Sequence, residues 1–200
     1  LISISMIYSN SINVIDWGGG AGSHFYAVKK ILPPGVKVNW CVIETKTMVE
    51  QCKKRIFEPG LHFYEHLEEA KFFLNNQIDL VFSNSALQYS SEPLSTIRSL
   101  IELQPENIFI TRTPFSDFED KMYFVQSSVI IGNGPGQSYS GSIDINQKVK
   151  YPLVIVNYQK VLDLLENNFN IKLSWSENNE AFKSKNVKIE TIGLMASKKL

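Results

Sequence analysis

Residues 13–32 read NVIDWGGGAGSHFYAVKKIL, and no other stretch limits the fold as strongly. An apolar run ends in Asp16, four glycines follow within five positions, and a helical pattern then begins. Glycine admits positive φ and has no Cβ, so its backbone can approach a ligand closely. A helix start adds free N–H groups and partial positive charge at the same spot. Strand, glycine turn and helix in this order form a nucleotide-binding arrangement.

Two familiar versions of that arrangement do not fit. The phosphate loop of NTPases ends Gly-Lys-Ser/Thr, whereas this cluster ends Gly22-Ser23-His24. The dinucleotide fingerprint G-x-G-x-x-G fails from either start: counted from Gly18 its third glycine is Ser23, and counted from Gly20 it is Phe25. What stands here is acid-x-Gly-x-Gly-x-Gly: Asp16, Gly18, Gly20 and Gly22, with Gly19 as an extra glycine.

The rest of the chain repeats the alternation. Short β-branched runs at 12–17, 36–43, 61–64, 78–83 and 107–111 are separated by helical patterns at 22–32, 46–57, 66–76 and 92–103. This rhythm predicts an α/β domain with a mostly parallel sheet and helices on both faces. Ser91 is placed to cap the fourth helix, with Pro93 in its first turn. Residues 113–150 break the rhythm and read as an irregular lid or substrate insertion around IGNGPGQSYSGS. Its aromatics, among them Phe115, Phe118, Tyr123 and Tyr139, suit either sugar stacking or a small lid core. A helix at 157–168 and strands at 171–176 and 187–197 follow, with Asn178 and Asn179 at the intervening turn. Residues 1–200 are thus expected to form one domain.

Composition narrows the partners. Lys+Arg and Asp+Glu both number 20, so formal net charge is zero and nucleic acid is not the expected partner. No apolar run reaches the ~20 residues a membrane-spanning helix needs. The opening LISISMIYSN lacks a basic n-region and a starting Met, which suggests a trimmed N-terminus rather than a signal peptide. Cys41 and Cys52 read as two reduced structural thiols in a cytoplasmic protein.

With Asp16 and the glycines set out, the chain resembles the class I methyltransferases that use S-adenosylmethionine. The resemblance implies their Rossmann-like fold, with seven strands ordered 3-2-1-4-5-7-6 and the last hairpin supplying the antiparallel strand. It also implies that Asp16 offsets positive charge on the donor while Gly18, Gly19, Gly20 and Gly22 lie along it. Glu44, about 20 residues on at the end of the second strand, suits a ribose diol, since a carboxylate accepts two hydrogen bonds. Tyr64, Glu65 and His66 fall near the adenine pocket, and spacing leaves open which points inward. Asn84 and Ser85 are expected beside the cofactor, with Leu87, Gln88 and Tyr89 towards the methyl acceptor.

A narrower resemblance rests on VIDWGGGAGSHF, DLVFSNSALQY, NIFITRTPF, Gln126 and YPLVIVN. Together these look like a bacterial methyltransferase family found with surface-polysaccharide (O-antigen) biosynthesis genes. That resemblance implies O-methylation of a sugar in a glycan precursor, with peripheral contact to a lipid-linked glycan. A small-metabolite or protein acceptor remains open, and so does a non-catalytic S-adenosylmethionine-binding regulatory or assembly subunit.

No catalytic base is evident. His24, in the first helical turn, can face the methionine end or the acceptor, or simply be a partly exposed helix residue. Asp117, with Glu119 and Asp120, forms either a base near the site mouth or a solvated acidic turn, and no spacing specifies a metal. Arg112 suits a phosphate or carboxylate on the acceptor, or an ion pair with those acids.

Overall fold

The computed structural model describes residues 10–119, 121–129, 144, 146–177 and 187–199. Five short strands form the centre: β1 (Ser11–Trp17), β2 (Lys37–Ile43), β3 (Leu61–Tyr64), β4 (Leu80–Asn84) and β5 (Asn107–Ser116). They alternate with helices α1 (Ser23–Lys29), α2 (Lys46–Arg55), α3 (Leu67–Phe73) and α4 (Pro93–Glu102). All four ladders joining these strands, in the order 3-2-1-4-5, are parallel.

Both faces of the sheet are covered, as parallel sheets require. On one face Val14, Trp40, Val42, Leu80 and Phe82 pack with Phe25 of α1 and Val49 and Cys52 of α2. On the other, Ile15, Cys41, Ile43 and Val81 pack with Ala70 of α3 and Ile97, Leu100 and Ile101 of α4. The i, i+3, i+4 spacing of that last trio sets one helix face inward. Each such side chain withdrawn from water contributes about 1.5–3 kcal/mol.

Past α4 come β6 (Met122–Val129), β7 (Lys148–Asn157), α5 (Tyr158–Glu166), β8 (Phe169–Glu177) and β9 (Ile189–Lys198). β9 runs antiparallel along β5, and β8 lies antiparallel outside it. This is the expected 3-2-1-4-5-7-6 arrangement, with β9 as its seventh strand and β8 as its sixth. The hairpin β6–β7 is an addition. It joins the opposite flank of β5 at Phe115–Ser116, beyond the last pairing of β4 at Thr111.

The described residues of 113–150 therefore differ from the irregular insertion expected. β5 continues to Ser116 because β9 pairs with it that far, across a bulge between Ile110 and Thr113. Pro114 falls between the end of the β4 ladder and the start of the β7 ladder, where one flank has no partner strand. The glycine-rich centre of this segment, Asp120, Tyr139 and the turn at Asn178 and Asn179 lie outside the described residues. Helix α4 also starts differently: Glu92, not Ser91, is its N-cap residue, and the Ser90 hydroxyl accepts from the Glu92 N–H.

Cys41 and Cys52 are both free and buried. Burial pushes the Cys41 thiol up to about 12 and raises that of Cys52, with the Glu44 carboxylate adding to the latter. Neither forms thiolate near neutral pH, so neither should react with a thiol reagent at pH 8 until the protein unfolds. Labelling of either in the native protein, followed by mass spectrometry, would contradict this packing.

Candidate functional site

The sheet order reverses between β1 and β4, and at such a switch point the chains leaving the strands part and open a crevice. Here a cleft of about 740 Å³ lies at the carboxyl ends of β1 to β4. Trp17, Gly18, Glu44, Glu65, Ser85 and Tyr89 are among its lining residues, with Thr45, Lys46 and His66 also on its wall.

The glycine turn is built against backbone and core. Gly18 has φ +71, and its N–H donates to the Ile43 carbonyl at 2.9 Å, tying the turn to β2. A Cβ on Gly18 would lie 2.3 Å from that of Ala86, so the glycine is what lets the turns after β1 and β4 come together. Gly20 has φ +59 but faces open space. Its N–H donates to Glu44 Oε1 at 3.1 Å, and the Thr45 N–H donates to Glu44 Oε2 at 2.9 Å. Glu44 thus holds the turn while standing in the cleft wall. Each carboxylate oxygen retains a lone pair, because an ionised carboxylate has about four acceptor sites.

Asp16 lies beneath this turn and is fully buried. Its Oδ2 accepts from the Trp40 indole N–H at 3.0 Å and faces His24 Nδ1 at 3.3 Å. The indole can only donate, and the carboxylate can only accept when ionised, so the His24 proton belongs on Nδ1. His24 Nε2 meets the Asn84 amide nitrogen at 2.9 Å, which fits a neutral imidazole accepting from that amide. Phe82 places its ring edge-on to His24 with centroids 4.9 Å apart. Asp16 Oδ1, Asn84 Oδ1 and Gln88 Oε1 are buried without a hydrogen-bond partner among the described residues. Three orphaned acceptors near one crevice are costly unless a donor or cation completes them.

The turn after β4 is strained. Ser85 has φ +55, an uncommon conformation for a residue with a side chain. Its N–H donates to the Thr111 carbonyl, and its hydroxyl accepts from Gln88 Nε2 at 3.2 Å. The following 3₁₀ turn, Leu87–Tyr89, carries Tyr89 to the cleft rim. The Tyr89 hydroxyl donates to Gln126 on β6 at 2.9 Å, and its ring meets Tyr151 on β7. Burial raises the Tyr89 phenol; the Gln88 hydrogen bond opposes that shift and the nearby Tyr151 adds to it.

The other candidates are distributed around this centre. Tyr64 faces Phe73, with the Lys53 ammonium over its ring, and desolvation first, then Cys41 and Glu69, push its phenol up to about 12. It does not line the cleft, whereas Glu65 and His66 do. Leu87 is fully buried in the core and Gln88 nearly so. Arg112 is exposed at the β5 bulge, with φ +53, and pairs with neither Asp117 nor Glu119. Asp117 accepts from the Lys188 N–H, and Glu119 pairs with Lys160. Among the described residues no cluster of His, Cys, Asp and Glu forms a metal site. Trp40 and Ala86 are parts of the site that sequence reasoning missed. The register that sets Trp40 two residues before Val42, the partner of Asp16, is the signal that places its indole on the acid's face.

No protein-family model matches the chain, and no curated protein matches its sequence. Its fold is the Rossmann-like fold of S-adenosylmethionine-dependent methyltransferases. One similar structure is the N-terminal domain of EvdMO1, crystallised in the presence of SAH, the demethylated S-adenosylmethionine, and D-fucose. It has a TM-score of 0.55 and 12% identity over 94% of this chain and 76% of that one. The glycopeptide N-methyltransferase MtfA, complexed with SAH, aligns at TM-score 0.52 and 11% identity, covering 99% and 87% of the two chains. The [4+2]-cyclase SpnF, at TM-score 0.56 and 13% identity, covers 98% and 79%. At these identities the likeness concerns fold, and activity must be argued from the site.

Proposed function

We propose that this chain is an S-adenosylmethionine-dependent methyltransferase acting on a hydroxyl of a sugar, within a surface-polysaccharide precursor. The observation that carries this reading is the buried Asp16 carboxylate under the glycine turn, with one oxygen unpartnered. A pyrophosphate placed there would meet the fields of Asp16 and Glu44 without a compensating lysine in the turn. A donor bearing sulfonium and ammonium charges meets the opposite: a buried carboxylate with one oxygen unpartnered. Glu44 would take the ribose hydroxyls, the Gly18–Gly20 backbone would run along the methionine part, and Glu65 and His66 would flank the adenine end. Asn84 and Ser85 would close the other side of the crevice.

The bound cofactor supplies the activated methyl group, and this chain's contribution is alignment. Tyr89, held by Gln126, and the β6–β7 hairpin beyond it would face the entering acceptor. Arg112, on the exposed rim of β5, would meet a phosphate of such a precursor. The sugar assignment draws support from the neighbour crystallised in the presence of D-fucose.

Calorimetry with S-adenosylmethionine, SAH and NAD tests the donor. The first two should bind and NAD should not; tight NAD binding alone would overturn the reading. Transfer of radiolabelled methyl into fractionated cell-envelope precursors tests the acceptor. Cofactor binding with label in no glycan fraction would favour a different acceptor or a non-catalytic subunit.

A further inference from the structure

β3 is an outer strand of the sheet, and among the described residues no strand pairs with its free edge. Its pairing with β2 shows which main-chain groups that leaves. The Gly60 carbonyl accepts from the Trp40 N–H, and the Tyr64 carbonyl accepts from the Glu44 N–H. Even-numbered residues of this run therefore bond to β2, and those between them, Leu61 and Phe63, turn their groups outward. The Glu58 carbonyl accepts from the Leu61 N–H. The Leu61 carbonyl and both groups of Phe63 remain, on a run, LHFY, that has no proline, lysine or bulge of its own to blunt it.

The surroundings of this edge differ from one end to the other. Phe57, just before β3, is 84% exposed, and Phe73 of α3 lies against the His62 ring with centroids 4.2 Å apart. A groove of about 640 Å³, lined among others by Pro33, Val38, Pro59, Gly60, His62 and Phe73, adjoins the amino end of the strand. α2 ends in Lys53, Lys54 and Arg55 shortly before the chain enters β3, and the Lys53 ammonium reaches along the strand to lie over the Tyr64 ring. Glu65 follows β3 directly, and Glu68 and Glu69 open α3. The edge thus runs from a basic, aromatic end to an acidic one.

We infer that this edge docks a second copy of the same chain, the two β3 strands pairing antiparallel about a two-fold axis at Phe63. An edge whose free groups centre on one residue is self-complementary in that arrangement. Each Phe63 N–H donates to the partner's Phe63 carbonyl, and each Leu61 carbonyl accepts from the partner's Glu65 N–H. The axis also sets the acidic end of each strand beside the basic end of the other, whereas a parallel pairing would set like charges together. His62 falls opposite the partner's Tyr64, in a non-hydrogen-bonded pair whose side chains lie close. The two sheets become continuous. Glu65 and His66 line the cleft, so the interface borders it. No cofactor enters this pairing, and it stands or falls apart from the donor reading.

Sedimentation of the full chain at about 10 µM should give twice the chain's mass. Glu68→Lys with Glu69→Lys should weaken the dimer about tenfold or more, and so should Lys54→Glu with Arg55→Glu, because each sets like charges across the axis. Mixing the two variants should restore association, since each then meets opposite charge at both ends; a folding defect would not be repaired by mixing. Trapping tests the register. The Cα atoms of residue 62 and the partner's residue 64 would stand about 4.5 Å apart, within disulfide reach. Oxidising a mixture of His62→Cys and Tyr64→Cys chains should give a covalent dimer that neither variant forms alone, and the native Cys41 and Cys52 are buried. A chain still monomeric at about 100 µM would overturn the inference and leave β3 to a different partner or to another part of this chain. A dimer indifferent to the charge reversals and yielding no mixed disulfide would overturn it too, because that dimer uses another face.

Discussion

Asp16→Ala should lose S-adenosylmethionine binding almost entirely, with affinity falling by roughly 30- to 5,000-fold, the range given by truncating one partner of a buried charged contact at about 2–5 kcal/mol. The loss should not arise from unfolding. Removing the carboxylate leaves the Trp40 N–H without an acceptor, which costs about 1–3 kcal/mol, but it also removes a buried charge that is expensive to hold. These effects oppose each other, so the thermal midpoint should move little while binding collapses. Asp16→Asn sharpens the result, since its amide keeps the shape and an oxygen acceptor but not the charge. Its affinity for the cationic donor should fall further than its affinity for SAH. Calorimetry beside a thermal melt measures both quantities. Unchanged donor affinity in Asp16→Ala would remove the charge argument on which the proposed function rests.

How much of this was legible in the chain depends on how local the cause is. β1 to β5 and the helices between them follow from apolar runs and helical spacing, and β3 matches its expected bounds. Asp16, the glycines and Glu44 sit in short contiguous motifs, and of these Gly18 and Glu44 line the crevice. β6 was illegible for a physical reason. Met122–Val129 alternates half-buried and exposed residues, so its outward side chains, Tyr123 and Val125 among them, resemble exposed loop residues. The extension of β5 past Thr111 depends on pairing with a strand some 80 residues later, across an Arg–Thr–Pro sequence that suggests a break. The same non-locality hid the surroundings of His24. Its position in the first turn of α1 was readable, but contact with both Asp16 and Asn84 requires β1 and β4 to be neighbours.

The glycine turn itself should separate structural from functional glycines. Gly18→Ala should destabilise the fold by about 3 kcal/mol: roughly 1–2 for a side chain in the left-handed region and 1–3 for forcing a methyl into packed surroundings. Its Cβ would stand 2.3 Å from the Ala86 Cβ with the Ala86 Cα behind it, so relief requires moving the β4 turn that carries Ser85 and Tyr89. Gly20→Ala has a similar backbone conformation, φ +59 against +71, but its Cβ meets nothing within 4 Å. It should cost only the conformational strain, about 1–2 kcal/mol, and leave the turn in place. Denaturant unfolding of the two variants isolates the contact with Ala86, because the strain is common to both. Equal stability losses would mean that Gly18 is not what seats β1 against β4. Cofactor binding then gives an independent comparison: Gly18→Ala distorts the cleft wall, whereas Gly20→Ala adds a methyl beside the N–H that Glu44 accepts. A Gly20→Ala variant that loses no more than that strain, about 1–2 kcal/mol, yet binds S-adenosylmethionine at least about tenfold more weakly would identify Gly20 as a glycine kept for the ligand rather than for the fold.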